Sequence, residues 1–217
     1  MWFLGYIGTL GAKMLNSSKI IGDLENMRRS GLALVPYFYF DFKDTDKQNR
    51  RALLSSLLVP LCARSDPFYG ILSRLYSSHD HGARQPSNDS LMHCLKEMLS
   101  LPGQGPVYMV MDALDECPNK PGMPSPREEV LKVIEHLVGL RLKSLRLCIT
   151  SRPEADIRNA LGPLTSHLVS LHEECGQRKD IIDYIKSVVR SDPRMQRWRE
   201  EDKDLVIESL SEKVGGM

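Results

Sequence analysis

The chain has no closely spaced cysteine pair. Cys62, Cys94, Cys117, Cys148 and Cys175 are odd in number, widely spaced and without a C-x-x-C pair. That pattern speaks against a disulfide framework and a zinc site, and for a reducing compartment, so the expected location is cytoplasmic. Neither charge sign predominates. The formal net charge is +1, which implies no basic face and makes nucleic acid a poor default partner. No apolar run reaches the about 18 residues that a membrane span needs. The apolar opening M-W-F-L-G-Y-I-G-T-L-G-A-K-M-L lacks the basic start and A-x-A-like cleavage site of a signal peptide and is rich in glycine. There is no internal repeat and no Ser-His-Asp set.

What is present suits one domain. The 217 residues are 41% hydrophobic and 26% charged, enough to bury a core. Strand and helix patterns alternate. Trp2–Leu4 is an apolar strand stub, and residues 13–29 carry Ile20, Leu24 and Met27 on one helical face. Residues 32–42 form a continuous apolar and aromatic run, as in a strand buried on both faces, with Pro36 near its start. Helices are predicted over 49–64, with Pro60 kinking or shortening the stripe Leu54, Leu57, Leu58 and Leu61, then over 67–77 and 90–100. Residues 77–89 read as a surface loop. Strands are predicted at 107–111, 145–150 and 167–171, with helices at 128–140, 153–161, 178–190 and 201–214. Four prolines within 118–126 require an exposed loop. The alternation predicts right-handed crossovers and a mainly parallel sheet, whose ligands bind at the carboxyl ends of the strands.

Two strands end in residues able to carry chemistry. After 107–111 comes Asp112-Ala113-Leu114-Asp115-Glu116. A carboxylate leaving a buried strand is placed to hold hydrated Mg²⁺, and the acidic pair that follows could orient an attacking water; the plainer reading is a solvated acidic turn. After 145–149 comes Thr150-Ser151-Arg152-Pro153-Glu154. Pro153 suits the first turn of a helix, with Glu154 and Asp156 near its positive end. Arg152 would read a terminal phosphate, or else pair with Asp112 or Asp115.

In combination, D-A-L-D-E and T-S-R-P resemble the NACHT group of signal-transduction P-loop NTPases. With W-F-L-G, Y-F-Y-F-D-F-K-D, L-L-S-S-L-L, L-R-L-C-I-T-S-R-P-E-A-D-I-R-N-A-L and D-I-I-D-Y-I-K-S-V-V, nearly the whole chain is similar to the nucleotide domain of fungal NACHT proteins, also described as nephrocystin-like N-terminal domains. The resemblance implies a P-loop NTPase-like three-layer α/β sandwich with a mainly parallel five-stranded sheet. Residues 1–217 would be one such domain core, truncated, with 176–217 its helical C-terminal part. It also implies a switch that binds Mg-ATP or Mg-GTP and relays the change to an effector. Asp112 would correspond to the Mg²⁺-associated Walker B aspartate, Asp115 and Glu116 to the additional acidic pair with a catalytic role, and Arg152 to the sensor arginine.

The opening loop departs from that pattern. A phosphate loop reads G-x-x-x-x-G-K-[ST], the lysine directly after the last glycine and a Mg²⁺-binding hydroxyl next. Gly5, Gly8 and Gly11 still permit a turn of N–H groups around a phosphate, but Ala12 stands where lysine belongs. Lys13 is one position late, and Met14 follows it. One residue rotates a helical side chain by about 100°, which turns Lys13 from the site. The expected function is therefore a NACHT-like NTPase domain with a degraded phosphate loop, impaired in nucleotide binding, acting as an interaction module toward a protein partner or itself. The alternatives are a working Mg-nucleotide switch with slow hydrolysis through Glu116, and a structural fragment without an independent role. His79-Asp80-His81 lacks the further ligands of a metal site, and Cys148 inside a strand reads as core.

Overall fold

The computed structural model describes residues 2–7, 22, 24, 26–62, 66–120, 124–170 and 175–213. Along the chain run β1 (Trp2–Ile7), β2 (Tyr37–Tyr39), α1 (Arg50–Cys62), α2 (Asp66–Ser78), α3 (Asn88–Leu99), β3 (Val107–Asp112), α4 (Pro126–Gly139), β4 (Leu145–Ser151), α5 (Ala155–Leu161), β5 (His167–Ser170), α6 (Cys175–Ser191) and α7 (Glu200–Lys213). The sheet order is β2-β3-β4-β1-β5, five strands with every pair parallel. All carboxyl ends therefore lie along one edge, and β4 stands between β1 and β3.

Alternation along the strands builds a layer on each face. Val107, Met109 and Met111 of β3 and Leu145, Leu147 and Ile149 of β4 join the large core with Leu53, Leu57, Leu95 and Ile134 from the helices. Tyr108, Val110 and Cys148 face the other way, against Leu24, Met27, Ala33 and Val35. The residues described among 22–29 are helical, so helix covers both faces. Ser125 starts α4 with a capping box closed by Glu128, and Pro126 opens the helix, where its missing N–H costs nothing. Pro60 lies in the last turn of α1, which ends at Cys62.

Two expectations need correction. The run 32–42 is not one strand buried on both faces. Only Tyr37–Tyr39 is strand, with a single bridge at Leu34, and it lies at the sheet's edge. Tyr37 and Tyr39 are 45% and 40% exposed while Phe38 and Phe40 are buried. Pro36 supplies no ladder N–H, though its carbonyl accepts one from Val110. The second correction is β1, which runs past Leu4 to Ile7. Gly5 is thus a strand residue, opposite Ile149 on one side and Leu168 on the other.

Candidate functional site at the carboxyl edge

Register places the carboxyl edge. Tyr6 pairs with Thr150, and Met111 with Ile149, so Asp112 comes level with Thr150. The end of β1 then lies two strand spacings, about 10 Å, from Asp112. β1 ends at Ile7, opposite Ser151. Gly8, Gly11 and Lys13 lie outside the described residues.

Asp112 is buried. The Thr150 hydroxyl donates to its Oδ1, and the hydroxyl oxygen of Thr150 in turn accepts the N–H of Ala113 at 3.0 Å. That contact fixes the exit from β3, where Ala113 takes a left-handed conformation with φ 60°, uncommon for a residue with a Cβ. The chain then turns through a 3-10 segment, Leu114–Glu116. Tyr39, across the ladder from Asp112, has its phenol pushed up by burial and then by the charge of Asp112.

The acids that follow diverge. Asp115 is buried; its Oδ1 accepts the Arg152 N–H at 3.0 Å and its Oδ2 lies 3.2 Å from Arg152 Nε. Glu116 turns toward the sheet's edge, where its Oε2 accepts the Phe42 N–H at 3.2 Å. The edge thus brings together Asp112, Asp115, Glu116 and Arg152, each engaged with protein. Arg152 is half exposed, so one side of its guanidinium faces water.

Sequence reasoning missed Arg127. It sits in the first turn of α4, where the helix dipole disfavours a cation, yet its side chain is buried. Its Nε donates to the Cys117 carbonyl at 2.8 Å and its Nη2 to the Asp115 carbonyl at 2.7 Å. Nη1 pairs with Glu154 and, at 3.2 Å, with Asp156. Burial works against the charge, but Glu154 and then Asp156 more than offset it and raise the pKa. One buried cation therefore ties the acidic turn to the start of α5, and the signal for it was an arginine in the first turn beside Glu128 and Glu129. Thr150 was legible within T-S-R-P, but its hold on Asp112 was not.

As a metal site the edge is sparse. Among the described residues no three His, Cys, Asp or Glu side chains group to hold an ion. A Mg²⁺ ion here would take Asp112 and draw its remaining ligands from phosphate and water, which is how Mg²⁺ is commonly bound. Burial pushes the Cys117 and Cys148 thiols up to about 12, the latter helped by Asp112, which disfavours the nucleophilic thiolate at both. The described cysteines Cys62, Cys94, Cys117 and Cys148 are free thiols. No described helix is long and apolar enough to cross a membrane.

Residues 1–152 match the family model described as Nephrocystin 3, N-terminal. No curated protein matches the chain significantly. Among solved structures, the chain is similar to the Aeropyrum pernix ORC1 protein, determined in complex with DNA, at 15% identity and a TM-score of 0.50. The match covers 84% of this chain and 43% of that one, so the chain spans less than half the length of that neighbour. At that identity the likeness is one of fold.

Proposed function

Since the chain belongs to the nephrocystin-3 N-terminal family, we propose that it is an NTPase-like domain of NACHT type whose nucleotide site is weakened and which serves as an interaction module. One observation carries this reading. The acids that would run phosphate chemistry are engaged with protein: Asp112 by Thr150, Asp115 by Arg152 and Glu116 by Phe42. The displaced lysine of Gly11-Ala12-Lys13-Met14 points the same way. The carboxyl edge then works as a tied-down surface on a nucleotide-binding fold.

The half-exposed guanidinium of Arg152 favours a second reading, a Mg-ATP or Mg-GTP switch. When bound, the metal would neutralise phosphate charge. Asp112 would hold it, Arg152 would meet the terminal phosphate, and Glu116 would orient water after leaving the Phe42 N–H.

Thermal melts with and without Mg-ATP or Mg-GTP separate the two. A ligand at a hundredfold excess over Kd stabilises by about 2.7 kcal/mol, a rise of about 5–10 °C for a chain of this size. The expected result is no shift for the natural sequence and a shift once Ala12→Lys and Lys13→Ser restore the motif. A shift in the natural sequence that Asp112→Ala abolishes would establish the switch instead.

A further inference from the structure

A cavity of about 360 Å³ lies in the helical layer, between α1, α2 and the turn that leads into α3. None of its lining residues belongs to the carboxyl edge. Its walls are mainly apolar, from Leu58 and Val59 of α1 and Leu72, Leu75 and Tyr76 of α2. Val59 and Tyr76 are 65% and 54% exposed, so apolar surface that helix packing would normally bury faces an open space. The volume lies in the range of small-molecule sites.

The outer wall is built in a costly conformation. Asp80 and His81 both have φ 52°, followed by Gly82 at φ 89°, although residues with a Cβ rarely enter that region. A Cβ on Gly82 would lie 2.7 Å from Tyr76 Cε2, so only glycine lets the turn close against this ring. The His81 ring packs edge-on to Tyr76 at 5.7 Å. Arg51 donates to the Pro86 carbonyl at 2.6 Å, and His79 Nδ1 lies 2.8 Å from the Leu75 carbonyl. Such a strained wall persists only where its surroundings hold it.

The chemistry of the lining limits the occupant. Its ionisable groups are Arg84, His79 and two tyrosines, and no carboxylate lines the cavity. Asp80 takes the Arg84 Nε at 2.6 Å, while the two terminal nitrogens make no hydrogen bond among the described residues. Those nitrogens suit a carboxylate. The seven steps from Leu72 to His79 extend the wall by about 10 Å, a length that fits a chain better than a compact ring. We infer that this cavity binds a medium-chain acyl carboxylate, with the chain along the α1–α2 seam and the carboxylate at Arg84.

Titration calorimetry of the full chain with decanoate, decanol and decyltrimethylammonium tests the assignment. Decanoate should bind once per chain, and the cationic analogue should not saturate. Val59→Trp fills the cavity from an exposed position, and Ser73→Phe does so from α2; each should weaken decanoate at least about tenfold. Arg84→Glu should weaken decanoate about fivefold, the upper range for an exposed charge pair, and leave decanol unchanged. Unsaturable decanoate binding, or binding that a folded filling variant leaves intact, overturns the site. An equal effect of Arg84→Glu on acid and alcohol, or tight binding of the cation, overturns the carboxylate assignment.

Discussion

Arg127 and Arg199 are the same side chain in two settings. The first, near the carboxyl edge, has a side chain only 5% exposed and meets two carbonyls and two carboxylates. The second, before α7, is 77% exposed and forks onto Asp202 at 3.0 and 3.2 Å. Both would be counted as ion pairs, but only the first joins segments distant in sequence. Arg127 lies 27 and 29 positions from its two acids, whereas Arg199 lies three from its own. Burial makes the first network costly to break, because the Asp115 and Cys117 carbonyls left behind have lost their water. Water screens the second, and its loss leaves nothing stranded.

The largest expected effect follows directly. Arg127→Leu strands the buried Asp115 and Cys117 carbonyls, while Glu154 and Asp156, 41% and 34% exposed, keep access to water; it should cost about 2–4 kcal/mol. At about 2–4 °C per kcal/mol for a chain of this size, that is a fall in Tm of about 10 °C, measurable by calorimetry. A loss under about 1 kcal/mol would put Arg127 in the same class as Arg199 and remove the contrast. Thr150→Val comes next. It keeps the shape but deletes the hydroxyl between Asp112 and the Ala113 N–H, leaving a buried carboxylate oxygen and a donor short of a partner. The expected loss is about 1–3 kcal/mol in denaturant midpoints at constant m-value.

The same contrast explains what the sequence could and could not reveal. The alternation of strands and helices was readable, because a parallel sheet covered on both faces demands long apolar stretches. The acids and Arg152 were placed at one edge because strand ends fix where they emerge. The tertiary partners were not readable. A neighbour-by-neighbour reading takes Arg127 as a solvated first-turn residue, and only a fold that brings α5 alongside reveals its role. Gly5 misled for a related reason: glycine signals a break locally, but ladders to β4 and β5 on both sides hold it in strand. The run at 32–42 misled in the opposite sense, since its apolar character says nothing about being at the sheet's edge, where Tyr37 and Tyr39 face solvent.

Alkaline pH probes the edge more gently. Burial pushes the Cys117 thiol from an ordinary value of 9.0 to about 12, with Arg127 opposing the shift. The folded chain therefore holds that proton more tightly than the unfolded chain, and unfolding releases it once the pH exceeds 9.0. Stability should be flat in this respect below pH 9 and decline from there toward about 12. The loss at pH 10 is on the order of 1 kcal/mol. Cys117→Ala should reduce the slope between pH 8 and 10 in urea midpoints, whatever it does to stability at neutral pH. An unchanged slope would show that the thiol titrates alike in both states.

The smallest effect belongs to the exposed fork. A double-mutant cycle of Arg199→Ala and Asp202→Ala should return a coupling of at most about 0.5 kcal/mol, as usual for pairs one helical turn apart. Raising the salt to about 1 M shortens the screening length to about 3 Å and should remove most of it. The Arg127 variant under the same salt should keep nearly all of its destabilisation, because the cost there is desolvation within the fold, which mobile ions do not reach. If the two losses fell in parallel, the buried network would be open to solvent after all, and the difference between the two arginines would be one of number of contacts rather than of environment.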